Sequence, residues 1–340
     1  MTSVVKDYEE FEAGDLNLQS GETLRGAKLA YKTYGRLNSD KDNVVVFPTF
    51  FGGQHTHNEG MIGEGKALDP TKYFIIVPNM FGNGVSSSPS NATPPYNRAR
   101  FPIINLYDNV ACQHRLVTEL FGIEQIALVY GWSMGAQQAL YWGAIFPDRV
   151  DKICAVCGAA RTSPHNKVFI DGVRATLTAD PGHRNGYFEE RPVKGLRAMG
   201  RVYAGWAMSQ AFYRAHLYLE HGFGSLEDYL VRGWEANYLR RDPENLLAML
   251  GVWERCDVSD NEIFAGELDR ALGSITAETL IMPGRTDLYF TPEDSAVEVQ
   301  HMRYAELRVI DSDWGHCAGG PGREEAAMRQ IASAVSDLLS

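Results

Sequence analysis

Several things are scarce in this 340-residue chain, and each scarcity excludes a class of protein. Cysteine is the first: there are five, an odd number, scattered along the sequence. That argues against a disulfide framework and fits a reducing cytoplasm. Cys154 and Cys157 make one C-x-x-C, but no second pair follows at zinc-site spacing. They fall in an apolar, strand-like run where an odd separation points side chains to opposite faces, so they read as structural thiols. Long apolar runs are also missing, and nothing approaches a bilayer span. The first ten residues are polar and acidic and do not read as a secretory signal. Positive charge is short: 32 Lys and Arg against 43 Asp and Glu leave a net charge of −11. That argues against nucleic acid or an anionic membrane as partner. No internal repeat, low-complexity tract or linker is visible. What is present, 44 % hydrophobic and 22 % charged residues, suits one large core with an added cap.

The stretch that organises the rest is Gly131-Trp132-Ser133-Met134-Gly135. An apolar strand pattern (126–130) precedes it, and an Ala- and Leu-rich helix pattern (136–142) follows. Gly-x-Ser-x-Gly in that setting reads as a nucleophile elbow. The serine must stand on a turn so tight that its hydroxyl clears the sheet edge, and the two glycines remove side chains where backbones crowd. The same turn leaves the Met134 N–H free at a helix N-terminus, where it can face developing negative charge.

Around the elbow, residues up to about 38 alternate in polarity between turn signals, as antiparallel strands do. Short β-branched or apolar runs at 44–47, 73–77, 126–130 and 150–157 read as strands of a parallel sheet covered on both faces. A helix is expected over 106–121, closed by Gly122. From about 160 to 272 the strand signal vanishes. Helices are expected at 195–211, at 226–239 with Ser225 as cap, and at 243–255 with Asp242 as cap and Pro243 in the first turn. The sheet resumes at 279–283 and 306–310, and a helix closes the chain at 324–339. The expected fold is therefore α/β: a mostly parallel central sheet with helices on both faces, built from 1–159 and 273–340. An inserted helical cap, 160–272, lies over the catalytic edge.

An activated serine needs a base, and the base an orienting acid. On this architecture they follow in the order Ser, acid, His, on loops after the last two strands. Gly284-Arg285-Thr286-Asp287 follows the first, so Asp287 is the acid. Asp313-Trp314-Gly315-His316 follows the second, so His316 is the base. The oxyanion hole takes one backbone N–H from Met134 and a second from the loop after 44–47, where Phe50 is the choice. Phe51, Trp132 and Tyr289 suggest substrate-pocket walls. His55 and His57 form His-x-His without a neighbouring Cys, Asp or Glu set, so they read as loop or pocket-wall residues, not metal ligands. Cys317, beside the base, reads equally as a small buried side chain or a pocket wall.

Several motifs carry a family resemblance. Gly-x-Ser-Met-Gly continues into Gln138-Ala139-Leu140 and Phe146-Pro147-Asp148-Arg149-Val150. Gly65-Lys66-Ala67-Leu68-Asp69 precedes Tyr73-Phe74; Phe101-Pro102-Ile103 comes with Asp108; Glu235-Ala236-Asn237-Tyr238-Leu239 lies in the cap. Together they resemble the homoserine O-acetyltransferase-like branch of the α/β-hydrolase fold. The resemblance implies Ser133, Asp287 and His316 as triad, an oxyanion loop at 48–52, an acyl-enzyme, no metal, and a homodimer built through the cap. The departures matter as much. Trp132 and Ala136 stand where that family usually has glycines, and Pro48 where its oxyanion loop starts with His. Cys317 replaces the Asp implied to hold the homoserine amine. Arg197 and Arg201 lie near the arginine implied to hold its carboxylate, but neither aligns without a shift. A pocket without an amine anchor should not select an amino acid.

The expectation is a serine esterase that cleaves small or short-acyl esters through a Ser133 acyl-enzyme, without a cofactor. One alternative is an acyltransferase that takes the acyl group from acetyl-CoA to an alcohol other than homoserine. The other is a non-catalytic ligand-binding protein on the same fold. The expected partner is a small-molecule ester, with no nucleic acid and no membrane, and the expected location is the cytoplasm.

Overall fold

The computed structural model describes residues 7–340, and the rest of the polar start noted above (1–6) lies outside the described residues. An eight-stranded sheet runs through the molecule: β1 (Glu9–Asn17), β2 (Thr23–Tyr34), β3 (Val44–Val46), β4 (Phe74–Pro78), β5 (Leu128–Trp132), β6 (Lys152–Val156), β9 (Glu278–Met282) and β10 (Ala305–Leu307). Its spatial order is β1-β2-β4-β3-β5-β6-β9-β10. The first two pairings, β1 with β2 and β2 with β4, are antiparallel; the others are parallel. The sequence patterns follow from position. β1 lies at the edge with one wet face and alternates buried with exposed residues. β3, β4 and β5 are buried on both faces, which is why they are continuous apolar runs.

Helix α1 (Leu106–Arg115) starts on a capping box in which Asn105 N–H donates to Asp108 Oδ2 at 2.8 Å. The expected helix over 106–121 does continue, but its last part, Leu116–Leu120, is π-helical, and the chain turns at Gly122 with φ +61°. Helix α2 (Met134–Ile145) is buried along nearly its whole length. It crosses the centre of the sheet, so it has no polar face to show.

Between β6 and β9 comes the segment expected to form the cap. It holds α3 (Pro164–Thr178), α4 (Val193–Ala207), α5 (Gln210–Arg214), α6 (Leu226–Asp228), α7 (Ala236–Leu239) and α8 (Pro243–Glu254). Residues Tyr229–Glu235 join α6 to α7 as a π-helical stretch. Two details differ from the sequence reading. The run expected at 195–211 breaks at Met208, where Ser209 Oγ accepts from Phe212 N–H at 3.0 Å and starts α5. The cap also contains a two-stranded hairpin, β7 (His183–Arg184) and β8 (Tyr187–Phe188), turning on Asn185 and Gly186 at φ +52° and +88°. Asn-Gly is a strong two-residue hairpin signal that the absence of longer strand patterns around it concealed. Ser225 and Asp242 cap their helices as expected. Helices α9 (Leu268–Gly273), α10 (Pro292–Val299) and α11 (Glu325–Leu339) complete the core. Among the described residues, no helix is long and apolar enough to cross a membrane.

The chain enters and leaves the cap side by side: Thr162 N–H donates to Cys256 O at 2.9 Å, and Val258 N–H to Ala160 O at 2.9 Å. Glu298 of α10 holds this base. Both its carboxylate oxygens accept from Ala160 N–H, at 2.9 and 3.1 Å. Burial raises the Glu298 carboxyl to about 7, well above the unfolded value of about 4.3. The folded chain therefore holds this proton more tightly than the unfolded one. Its stabilising contribution is complete below about pH 4 and is lost as pH rises through about 7, a change of roughly 4 kcal/mol. Glu298→Gln keeps an acceptor for Ala160 and removes the titration. Urea denaturation at several pH values between 4 and 8 should show the wild type losing stability relative to the variant as pH rises. Parallel curves would show that folding leaves the Glu298 carboxyl at its unfolded value.

Candidate active site

Ser133 sits between β5 and α2 at φ +58°, ψ −128°, a strained conformation for a residue with a Cβ. The two elbow glycines explain how the turn closes. A Cβ on Gly131 would lie 2.1 Å from Gly135 O, and one on Gly135 would lie 2.8 Å from Pro48 O. Both clashes are with backbone, which cannot swing aside. Gly131→Ala should therefore destabilise the fold by about 3 kcal/mol or more. A chemical melt against wild type would measure this, and a loss under about 1 kcal/mol would show that the elbow has slack.

The loop after β9 brings Asp287, and the loop after β10 brings His316. His316 Nε2 lies 2.8 Å from Ser133 Oγ, and His316 Nδ1 lies 2.7 Å from Asp287 Oδ2. All three residues are buried. Asp287 Oδ1 accepts from the N–H groups of Tyr289 (2.7 Å) and Phe290 (3.2 Å), which fixes the carboxylate plane. The three residues singled out in the sequence, 183 positions apart at most, thus form one hydrogen-bonded chain.

Phe50 lies on the loop after β3, and Met134 follows the serine. Among the described residues, neither N–H has a protein acceptor, and Met134 is the first residue of α2. Asn58 Nδ2 donates to Phe47 O (3.0 Å) and Pro48 O (3.3 Å), and Thr49 Oγ1 accepts from Met80 N–H (3.0 Å). These bonds hold the loop after β3 in place beside the serine.

The three residues read as pocket walls separate in the structure. Phe51 and Tyr289 join a buried aromatic cage. Phe51 stacks on Tyr203 of α4 at 5.9 Å and meets Trp253 of α8 at 5.7 Å. Tyr289 meets Trp253 (5.5 Å), Phe169 of α3 (4.7 Å) and His316 (4.8 Å). Tyr289 Oη and Trp253 Nε1 are buried without a hydrogen-bond partner. Trp132 instead braces the base: its ring stacks on His316 at 5.1 Å and its N–H donates to His316 O at 3.2 Å. Tyr203, Phe169 and Trp253 were not singled out in the sequence. Their helical spacing is that of ordinary core residues, and only the descent of the cap onto the elbow gives them a second role.

Other residues find their places. Cys154 packs against Met282, 4.0 Å between sulfurs. Cys157 leaves β6 with φ +47° and points its thiol at the triad: Cys157 Sγ, an Asp287 oxygen and a His316 nitrogen lie within 4.8 Å of one another. Burial, then the Asp287 charge, pushes that thiol well above its ordinary range, so it is protonated. Cys317 is buried, and burial raises its thiol too. His55 is buried between Asp7 (3.1 Å) and Asn79 (3.2 Å). His57 is exposed, with Nδ1 accepting from Gln54 N–H at 3.1 Å. Arg197 and Arg201 both pair with Glu235 at 2.5 Å. They brace two cap segments and are spent on that carboxylate.

A tight strand-turn-helix serine, a histidine and an aspartate on successive sheet loops, and a cap overhead define an α/β hydrolase. Residues 42–320 match the family described as the alpha/beta hydrolase fold, and the chain belongs to that family. Within it, the chain lies in the branch that holds homoserine O-acetyltransferases and related esterases. It is 37 % identical over 313 residues to a probable esterase of Corynebacterium glutamicum, covering 91 % of this chain and 89 % of that protein. It is 36 % identical over 336 residues to an ethyl acetate hydrolase of Pseudomonas veronii, covering 98 % and 95 %. The solved structure of the acetyl esterase MekB superposes with a TM-score of 0.94 at 36 % identity, covering 98 % of this chain and 96 % of that one. A homoserine O-acetyltransferase of Chlorobium chlorochromatii is more distant, at 31 % over 319 residues, covering 88 % and 87 %.

Proposed function

We propose that this enzyme is a serine ester hydrolase acting on small, short-acyl esters. The observation that carries the reading is the hydrogen-bonded chain from Ser133 through His316 to Asp287, set on the elbow. The names of the esterase relatives support it. Ser133 Oγ attacks the ester carbonyl while His316 Nε2 takes its proton. The N–H groups of Phe50 and Met134 receive the oxyanion, each worth roughly 3–4 kcal/mol in the transition state. His316 returns the proton to the leaving alcohol, and a water activated the same way releases the acid. Asp287 keeps Nδ1 protonated and stabilises the imidazolium. The cage of Phe51, Tyr203, Trp253 and Tyr289 is tightly packed, which favours a short acyl group. Nothing in this sequence of steps calls for a cofactor or metal.

The acyltransferase reading is weaker on one specific ground. Cys317 offers no charge to a substrate ammonium, and Arg197 and Arg201 are occupied by Glu235. A side-by-side assay separates the readings: p-nitrophenyl acetate and butyrate hydrolysis in one arm, acetyl-CoA plus homoserine or other alcohols in the other. Ester turnover without acyl transfer is the expected result. Rapid acylation by acetyl-CoA would overturn it in favour of a transferase, and failure of a fluorophosphonate probe to label the protein would favour the non-catalytic reading.

The same proposal takes 160–272 as the cap insertion, supported by the paired segments at 160–162 and 256–258, between which α3 to α8 lie and from which α9 leads back to β9. A homodimer through the cap is supported by the exposed apolar side chains of Val168, Val193 and Val202 on α3 and α4. A cytoplasmic location is supported by five free, buried cysteines.

A further inference from the structure

Beside the oxyanion loop the chain places more positive charge than negative. Arg241 follows α7 directly. Its guanidinium donates to Gly52 O and, at 3.3 Å, to Asn237 Oδ1, and it lies 5.9 Å from the centre of the Tyr238 ring. Every one of these partners is neutral. Elsewhere in the cap and core, Arg98, Arg161, Arg174, Arg197 and Arg201 all sit on carboxylates. Arg240 and Arg323 also form no ion pair among the described residues, and Arg323 is near enough for its charge to be felt at both Arg241 and His57. Burial lowers Arg241 from its ordinary range, and burial followed by the Arg241 charge lowers His57. Burial is the main cause in both groups, and the neighbouring cations act in the same direction.

Arg240, Arg241 and His57 line a cavity of about 390 Å³ whose walls also include Gly52 and Asn83. Its one carboxylate, Asp242, uses Oδ1 to cap α8, accepting from Glu244 and Asn245 N–H at 2.9 Å each. Gly52 comes two residues after Phe50, so the cavity and the proposed oxyanion hole share one loop. A half-buried guanidinium in a polar cavity where two arginines face one carboxylate, itself engaged as a helix cap, gains most once a ligand brings further negative charge.

We infer that this cavity is an anion subsite, and that the ester cleaved here carries a carboxylate or phosphate that docks on Arg241 and Arg240 while its carbonyl lies against Phe50 and Met134. The inference rests on the esterase reading and specifies its substrate class. It differs from the carboxylate site that the family resemblance implied, since Arg197 and Arg201 are already paired.

The test compares methyl hydrogen succinate with dimethyl succinate, a charged and a neutral ester of nearly equal size. The wild type should favour the charged ester by about tenfold or more in kcat/KM. That preference should collapse towards unity, chiefly through KM, in Arg241→Gln and in Arg240→Gln, and survive in part in Arg241→Lys. Because each variant is scored by its own charged-to-neutral ratio, any general damage to the Gly52 loop cancels. Succinate and inorganic phosphate, each tried as a competitive inhibitor of p-nitrophenyl acetate hydrolysis, distinguish the two anions. A wild type indifferent to the charge, a ratio unchanged in Arg241→Gln, or no competition from either anion would overturn the subsite. Absence of p-nitrophenyl acetate hydrolysis would instead overturn the esterase reading itself.

Discussion

Ser133→Ala should abolish ester turnover, lowering kcat by about 10⁴- to 10⁶-fold while leaving the protein folded. The substitution removes one oxygen. The Cβ that bears the φ of +58° is already present in serine, so alanine meets the same backbone strain and no new clash. His316 Nε2 loses its partner, but its Nδ1 bond to Asp287 and the stack on Trp132 keep the ring in place. The Phe50 and Met134 N–H groups also remain, so a small residual rate above that in water is expected from them alone. Steady-state hydrolysis of p-nitrophenyl acetate, with circular dichroism to check folding, measures the effect. Retention of more than about a hundredth of wild-type turnover would mean that another group attacks. Neither nearby thiol is a good candidate: burial keeps both Cys157 and Cys317 protonated, and a protonated thiol is a poor nucleophile.

Asp287→Asn is expected to lower kcat by about 10⁴-fold with little change in KM. The surroundings of the residue dictate how it fails. Oδ1 already accepts two backbone N–H groups, from Tyr289 and Phe290. The asparagine oxygen must take that position, because the amide NH₂ there would face two donors. The NH₂ group therefore points at His316 Nδ1 and donates to it. Neutral His316 then carries its proton on Nε2, the nitrogen that must receive the Ser133 proton, and the base is in the wrong tautomer. Asp287→Ala leaves two backbone donors unsatisfied and should cost stability as well; asparagine separates the two effects. Comparable kcat in Asp287→Asn and wild type would mean that the 2.7 Å contact orients the ring without controlling its proton.

Much of this site was legible in the chain because the elbow is local. Strand, tight turn and helix lie within 20 residues, and the glycine at 131 is demanded by Gly135 O within the same turn, while Gly135 answers to Pro48 O on the loop after β3. Asp287 and His316 could be found because parallel sheets deliver loops to one edge, so position after a strand stands in for position in space. The Asn185-Gly186 hairpin and the π-helical endings after α1 and α6 were not read. The hairpin strands are too short to show a period, and a π-turn differs from an α-turn by one residue of hydrogen-bond register, which side-chain patterns hardly record.

The sequence by itself determined the sheet, the elbow, and which serine, acid and histidine could act together, since each depends on local backbone chemistry or on chain order. Only the tertiary structure decided what surrounds them. Trp132 turned out to brace His316; Phe169, Tyr203 and Trp253 became walls of the cage; Arg197 and Arg201 closed on Glu235; Arg241 stood unpaired against Gly52. The physical reason is the same in each case. A side chain's partner is set by how distant segments of the chain pack together, and that packing brings together residues from tens to nearly two hundred positions apart, which no local pattern encodes.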